Sequence, residues 1–135
     1  MPRNWEKFMS GPFVPSRERL HVSINSKGLI QFNRRTFEAL GKPDAVVLYF
    51  ERATKVMGMA ASHTQAREAF PVSFRGGYYW SINAIPFCRN FEIRVEGTHA
   101  FFDPELDDQK VLQLDLRTMK RIYGGRGRRK VDVTT

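Results

Sequence analysis

The chain is predicted to be mainly β with short helices, arranged as two successive copies of one strand–helix–strand unit. Three observations predict this. Apolar and polar residues alternate over short stretches, the period of a half-buried strand. Gly, Asn, Asp and Pro punctuate those stretches at short intervals. The order of elements across residues 20–60 then recurs across residues 70–116.

The first unit reads in order. Residues 20–24 (LHVSI) alternate and form a strand. Residues 25–28 (NSKG) are a turn, with Gly28 free to take positive φ. Residues 29–32 (LIQF) return as a second strand. Asn33 is an N-cap whose side chain can accept from an orphan helix N–H. A short helix runs from Arg34 to Leu40, Gly41 closes it, and Pro43 stops its continuation. Residues 45–50 (AVVLYF) are a strong strand, 51–55 a turn, and 56–59 (VMGM) the returning strand.

Residues 61–69 are a polar connector with room for one helical turn. The second unit follows: strand 70–74, turn 75–77, strand 78–82, and a short helix capped by Asn83 and ending near Phe91. Strand 99–102, turn 103–109 and strand 111–116 complete it. The sequence offset between the units grows from 50 to 52 to 55 residues through loop insertions. QFN at 31–33 lies over SIN at 81–83, and LYFE at 48–51 over AFFD at 100–103. Neither unit can bury its apolar face alone, so the two are expected to share one core.

The chain has 135 residues, enough for one domain with a sizeable core. At 41% hydrophobic and 13% aromatic it is not a disordered polymer. No apolar run approaches the ~20 residues that span a bilayer, so no membrane association is expected. The start lacks the apolar core of a secretory signal. The single cysteine, Cys88, excludes an internal disulfide, and a cytoplasmic location is expected. There is no CxxC pair, and His21, His63 and His99 are scattered, so neither a metal nor a cofactor is expected.

Formal net charge is +8, and its position matters more than its size. Residues 21–116 hold eleven basic and eleven acidic side chains. Residues 1–20 hold four basic and two acidic, and residues 117–135 seven basic and one acidic. The boundaries follow: an arm at 1–19, one β-rich domain at 20–116, and a basic tail at 117–135. Trp5, Phe8 and Phe13 are expected to pin the arm to the body.

The first unit, VSINSKGLIQFNRRTFEALGKPDAVVLYFE, resembles the swapped-hairpin unit of AbrB/SpoVT-type regulators. Gly28, Ile30, Phe32, Asn33, Leu40 and Gly41 carry the resemblance. Two units in one chain resemble the MraZ-like arrangement. The resemblance implies a pseudo-twofold swapped-hairpin β-barrel, a non-enzymatic DNA-binding role of the transcription-regulator kind, and a homo-oligomer. Family members commonly carry Gly-Arg after the first turn; here Leu29 follows Gly28 and Phe37-Glu38 occupy mid-helix. DNA contact is therefore expected from the basic ends.

Those ends supply most of the candidate nucleic-acid-binding residues: Lys120, Arg121, Arg126, Arg128, Arg129 and Lys130. Their glycine-spaced arginines suit bidentate phosphate contacts. Arg126-Gly127-Arg128 is similar to the core of an AT-hook, without its following proline. Lys27, Arg34 and Arg35 are added from the first hairpin turn and the helix start. Tyr79 is expected to point away from Tyr78 and Trp80. Cys88 reads as a structural thiol and Glu105–Asp108 as a solvated turn. No catalytic constellation is visible, so no enzyme activity is expected. The alternative function is a protein-interaction or assembly module without DNA binding.

Overall fold

The computed structural model describes residues 3–6, 19–77 and 79–122. Within them the chain is mainly β, in two antiparallel sheets with two short helices. The elements are β1 (Val22–Ile24), β2 (Leu29–Asn33), α1 (Arg34–Ala39), β3 (Ala45–Glu51), β4 (Val56–Ser62), β5 (Phe70–Pro71), β6 (Ser73–Gly76), β7 (Tyr79–Asn83), α2 (Ile85–Asn90), β8 (Thr98–Ala100), β9 (Glu105–Leu106), β10 (Leu112–Asp115) and β11 (Lys120–Ile122). The first sheet has the order β11-β8-β1-β2-β7-β6, the second β5-β3-β4-β10-β9. No helix among the described residues is long and apolar enough to cross a membrane.

Side chains opposite one another in an antiparallel pair lie on the same face. The inner face of the first sheet is therefore Val22, Ile24, Ile30, Phe32 and Ile82, all essentially inaccessible to water. It meets Val46, Met57, Met59, Leu112 and Leu114 from the second sheet. This is one core, to which both halves of the sequence contribute.

The ladder registers relate the halves by simple shifts. Between β2 and β7, Ile30 faces Ile82 and Phe32 faces Trp80. Shifting each partner by 50 residues turns the first pair into the second. Between β4 and β10, Met57 faces Leu114 and Met59 faces Leu112, and a shift of 55 exchanges those pairs.

Several elements differ from expectation. The strand expected at 70–74 is two pieces, β5 on the second sheet and β6 on the first. Between them the Val72 N–H donates to the Asp44 carbonyl (2.9 Å), and Pro71 has no N–H to continue the ladder. The stretch 98–106 likewise gives β8 to the first sheet and β9 to the second, with Asp103 at φ 50° between them. Among the described residues there are two sheets linked by these crossing segments, and they do not close into a barrel. The residue capping α2 is Ala84 rather than Asn83, although Asn83 Oδ1 still accepts from the Ile85 N–H (3.2 Å). Residues 117–122 belong to the folded body: Leu116–Thr118 is a 3-10 turn, and Lys120–Ile122 pairs with β8. Trp5 is 83% exposed, while Phe8 and Phe13 lie outside the described residues.

A shared core predicts a shared transition. Leu114→Ala should cost about 2–5 kcal/mol in urea unfolding. Unfolding should remain one transition by both tryptophan fluorescence and circular dichroism.

Candidate nucleic-acid interface

The site is built on the outer face of the first sheet. One residue from each strand forms a row across it: Ser73, Ser81, Gln31, Ser23, Ala100 and Lys120. Their side chains are short except at Gln31 and at the end; Ser81 and Ser23 are buried, Gln31 and Ala100 half-buried, and Ser73 and Lys120 at the two ends exposed. In the neighbouring row Tyr79 faces Asn33, and the Asn33 N–H donates to the His21 carbonyl (3.2 Å). Tyr79 is 43% exposed.

Beyond β8 the chain turns one phenylalanine in and one out. Phe101 is buried in the core, and Phe102 is 68% exposed. Phe102 lines a cleft of about 500 Å³ with Arg19, His21, Asp103 and Lys120.

A knot of hydrogen bonds fixes the backbone beneath this cleft. Asn33 Oδ1 accepts from the Thr36 N–H (3.0 Å) and from the Thr36 hydroxyl (2.7 Å). Asn33 Nδ2 donates to the Arg19 carbonyl (2.8 Å), and the His21 N–H donates to Thr36 Oγ1 (3.0 Å). The cap of α1 thus also holds the segment leading into β1, which carries Arg19 and His21. Burial lowers the His21 imidazole below its ordinary value of 6.5, and the nearby Arg19 charge lowers it further.

The predicted residues are not all brought together. Arg34 and Arg35 are exposed on the first turn of α1, beside the Asn33–Tyr79 pair. Lys27 lies at the far end of β2, about 17 Å away by strand rise. There Asn25 Oδ1 accepts from the Lys27 N–H (2.9 Å) and the Leu29 N–H (3.1 Å). Lys27 lines a different cleft, about 800 Å³, with Arg89, Glu92, Arg94 and Glu96. Lys120 and Arg121 are neighbours on β11 and take opposite faces. The Arg121 guanidinium lies over Gly97, where a Cβ would stand 3.0 Å from Nη2. Arg126, Arg128, Arg129 and Lys130 lie outside the described residues.

The remaining candidates have structural surroundings. Trp80 lies on the inner side, stacked on Phe37 at 4.3 Å and packed against Phe74 at 5.0 Å, while Tyr79 faces outward; Tyr78 is outside the described residues. Cys88 is buried, and burial pushes its thiol up. Asp107 Oδ1 accepts from the Gln109 and Val111 N–H groups, which closes the acidic turn. Its carboxyl is held low by the Val111 bond, then by those from Gln109 and Gln113. No group of three His, Cys, Asp or Glu able to hold a metal is present among the described residues. Arg19 and Phe102 were not singled out in the sequence; the inward Phe101 beside an outward Phe102 is the signal that could have found the second.

No protein-family model, curated protein or solved structure matches the chain.

Two measurements test this scaffold. Asn33→Ala removes the side-chain acceptor of the Thr36 N–H, leaves the Thr36 hydroxyl only its longer bond to the His21 carbonyl (3.3 Å), and should cost about 1–3 kcal/mol in urea unfolding. Because the folded His21 value lies below 6.5, the unfolded chain binds its proton first. The stability linked to His21 is therefore complete above 6.5 and is lost as pH falls below it. His21→Gln should flatten that part of the pH–stability curve.

Proposed function

We propose that the chain is a non-enzymatic DNA-binding protein, in the manner of a transcriptional regulator, that takes nucleic-acid phosphates on the outer face of the first sheet. The observation that carries this reading is the placement of Lys120. Its strand ends the polar row, beside Arg19 and at the point where the basic run of residues 120–130 begins. Arg34 and Arg35 extend the cationic margin about 14 Å further, three strand spacings away. Lysine and arginine along the margins of one sheet face suit a polyanion, and no cofactor is required.

The fold reading accompanies it. Two tandem units, residues 20–60 and 70–116, form one domain of the swapped-hairpin kind, resembling AbrB/SpoVT-type regulators in an MraZ-like tandem. The 50- and 55-residue relations within the ladders support it, as do the two segments that pass from one sheet to the other. The buried Cys88 thiol suits the reducing cytoplasm.

A second reading is an assembly module that does not bind DNA and forms a homo-oligomer. It is favoured by Phe74, 63% exposed on β6 at an open sheet edge.

The test is the salt dependence of duplex DNA binding by the full chain. Lys120→Ala and Arg19→Ala should each reduce the slope of log affinity against log salt by about one. Lys27→Ala, at the other end of the sheet, should leave it unchanged. A stable oligomer with no affinity for DNA at low salt would select the assembly reading.

A further inference from the structure

The two exposed aromatic rings on the outer face of the first sheet stand apart from one another. Tyr79 is on β7, and Phe102 follows β8. Those strands are three positions apart in the sheet, so the rings are separated by about 14 Å across the ladder. Between them lie Asn33, Ser81 and Ser23, which are buried, and Gln31 and His21, which are half-buried. Ala100 and Ile122 line the cleft with Phe102, and Tyr79 stands outside it.

That pattern discriminates between partners. A protein interface concentrates apolar and aromatic side chains in a desolvated centre with a polar rim. Here the two exposed rings stand apart rather than clustered, and cations border each: Arg19 and Lys120 line the cleft with Phe102, and Arg34 and Arg35 follow the Asn33 that pairs with Tyr79. Isolated π faces with positive charge beside them match a ligand that carries flat rings on an anionic backbone. Duplex DNA keeps its base faces stacked inside and offers only edges and phosphates. A broad sheet face cannot use its rings on such a ligand. Unstacked bases can lie on both rings while their phosphates meet the cations.

We infer that the outer face of the first sheet is a stacking platform for single-stranded nucleic acid, with Tyr79 and Phe102 each receiving a base. This rests on the nucleic-acid reading proposed above and narrows its ligand. Asp103, the acidic group in the Phe102 cleft, disfavours a phosphate at that point, so the backbone should pass on the Arg19 and Lys120 side. The span between the rings accommodates intervening nucleotides, in keeping with roughly 4–16 nucleotides per sheet-borne single-strand site.

The test uses the full chain and fluorescence anisotropy with three probes at one salt concentration: an oligothymidylate, an oligouridylate and a mixed-sequence duplex. At least one single strand should bind more tightly than the duplex, and the stronger of the two distinguishes DNA from RNA as the source. Tyr79→Ala and Phe102→Ala should each weaken single-strand binding by roughly 5- to 100-fold and change duplex binding little. Tyr79→Phe keeps the ring and should keep the affinity. Phe102→Leu keeps apolar bulk without a π face and should lose as much as the alanine variant, which separates stacking from packing. Single-strand affinity that survives all these substitutions, or that never exceeds duplex affinity, overturns the inference. Salt-sensitive duplex binding in that case still leaves the proposed function standing. Failure to bind any of the three probes removes both.

Discussion

The β2–β7 ladder joins residues about fifty positions apart in the chain, and the rest of the structure is arranged around it. Closing a loop of that length costs entropy before any contact is gained. The return is the burial of Ile30, Ile82 and Phe32, with Trp80 partly covered, at the centre of the first sheet. Strands β1 and β6 pair outward from this seam, and β8 and β11 follow β1. The same alternation that drives four large side chains toward the core turns Gln31 and the buried Ser81 to the opposite face. Core and candidate site are thus two consequences of one register, because a slip of one residue would exchange them.

A second constraint ties the site to the helix. Asn33 ends β2, caps α1 and holds the Arg19 carbonyl. Thr36, fully buried, is hydrogen-bonded to Asn33 and to the His21 backbone at the same time. Side-chain amide and hydroxyl groups here do what a longer β1 would otherwise do. They fix the direction of residues 19–21, three residues from which a cationic and an imidazole side chain emerge. Satisfied polar groups of this kind specify geometry more than they add net stability, since each also bonds well to water when unfolded.

Most of the local elements were legible in the sequence because their causes are local. The Asn25–Gly28 turn, the Asn33 cap and the Gly41 terminus each depend on residue types within a few positions, and Gly28 and Gly41 take φ of 80° and 90°. Asn83 had the same appearance but lies one residue before the capping position, since Pro86 follows on the first turn of α2. The break at Val72 depends on a distant partner, the Asp44 carbonyl, which no local pattern reveals. β11 was hidden for a related reason. Lys120, Arg121 and Ile122 are too few to alternate visibly, and their charge reads as solvent-seeking until β8 supplies a ladder. The cationic character of the site was visible, but Arg19 and Phe102 acquire meaning only beside Lys120. A count of charges along the chain cannot place three strands of one sheet side by side.

Cys88 sits on α2 with its sulfur covered by the core and its ionisation suppressed by that cover. Alkylation needs the thiolate and a path for the reagent, and burial against the core disfavours both while α2 is seated. Each excursion of the helix away from the sheets restores both at once. The rate at which a maleimide reacts with the native chain therefore counts those excursions, so the protein carries an intrinsic clock for the breathing of its second half.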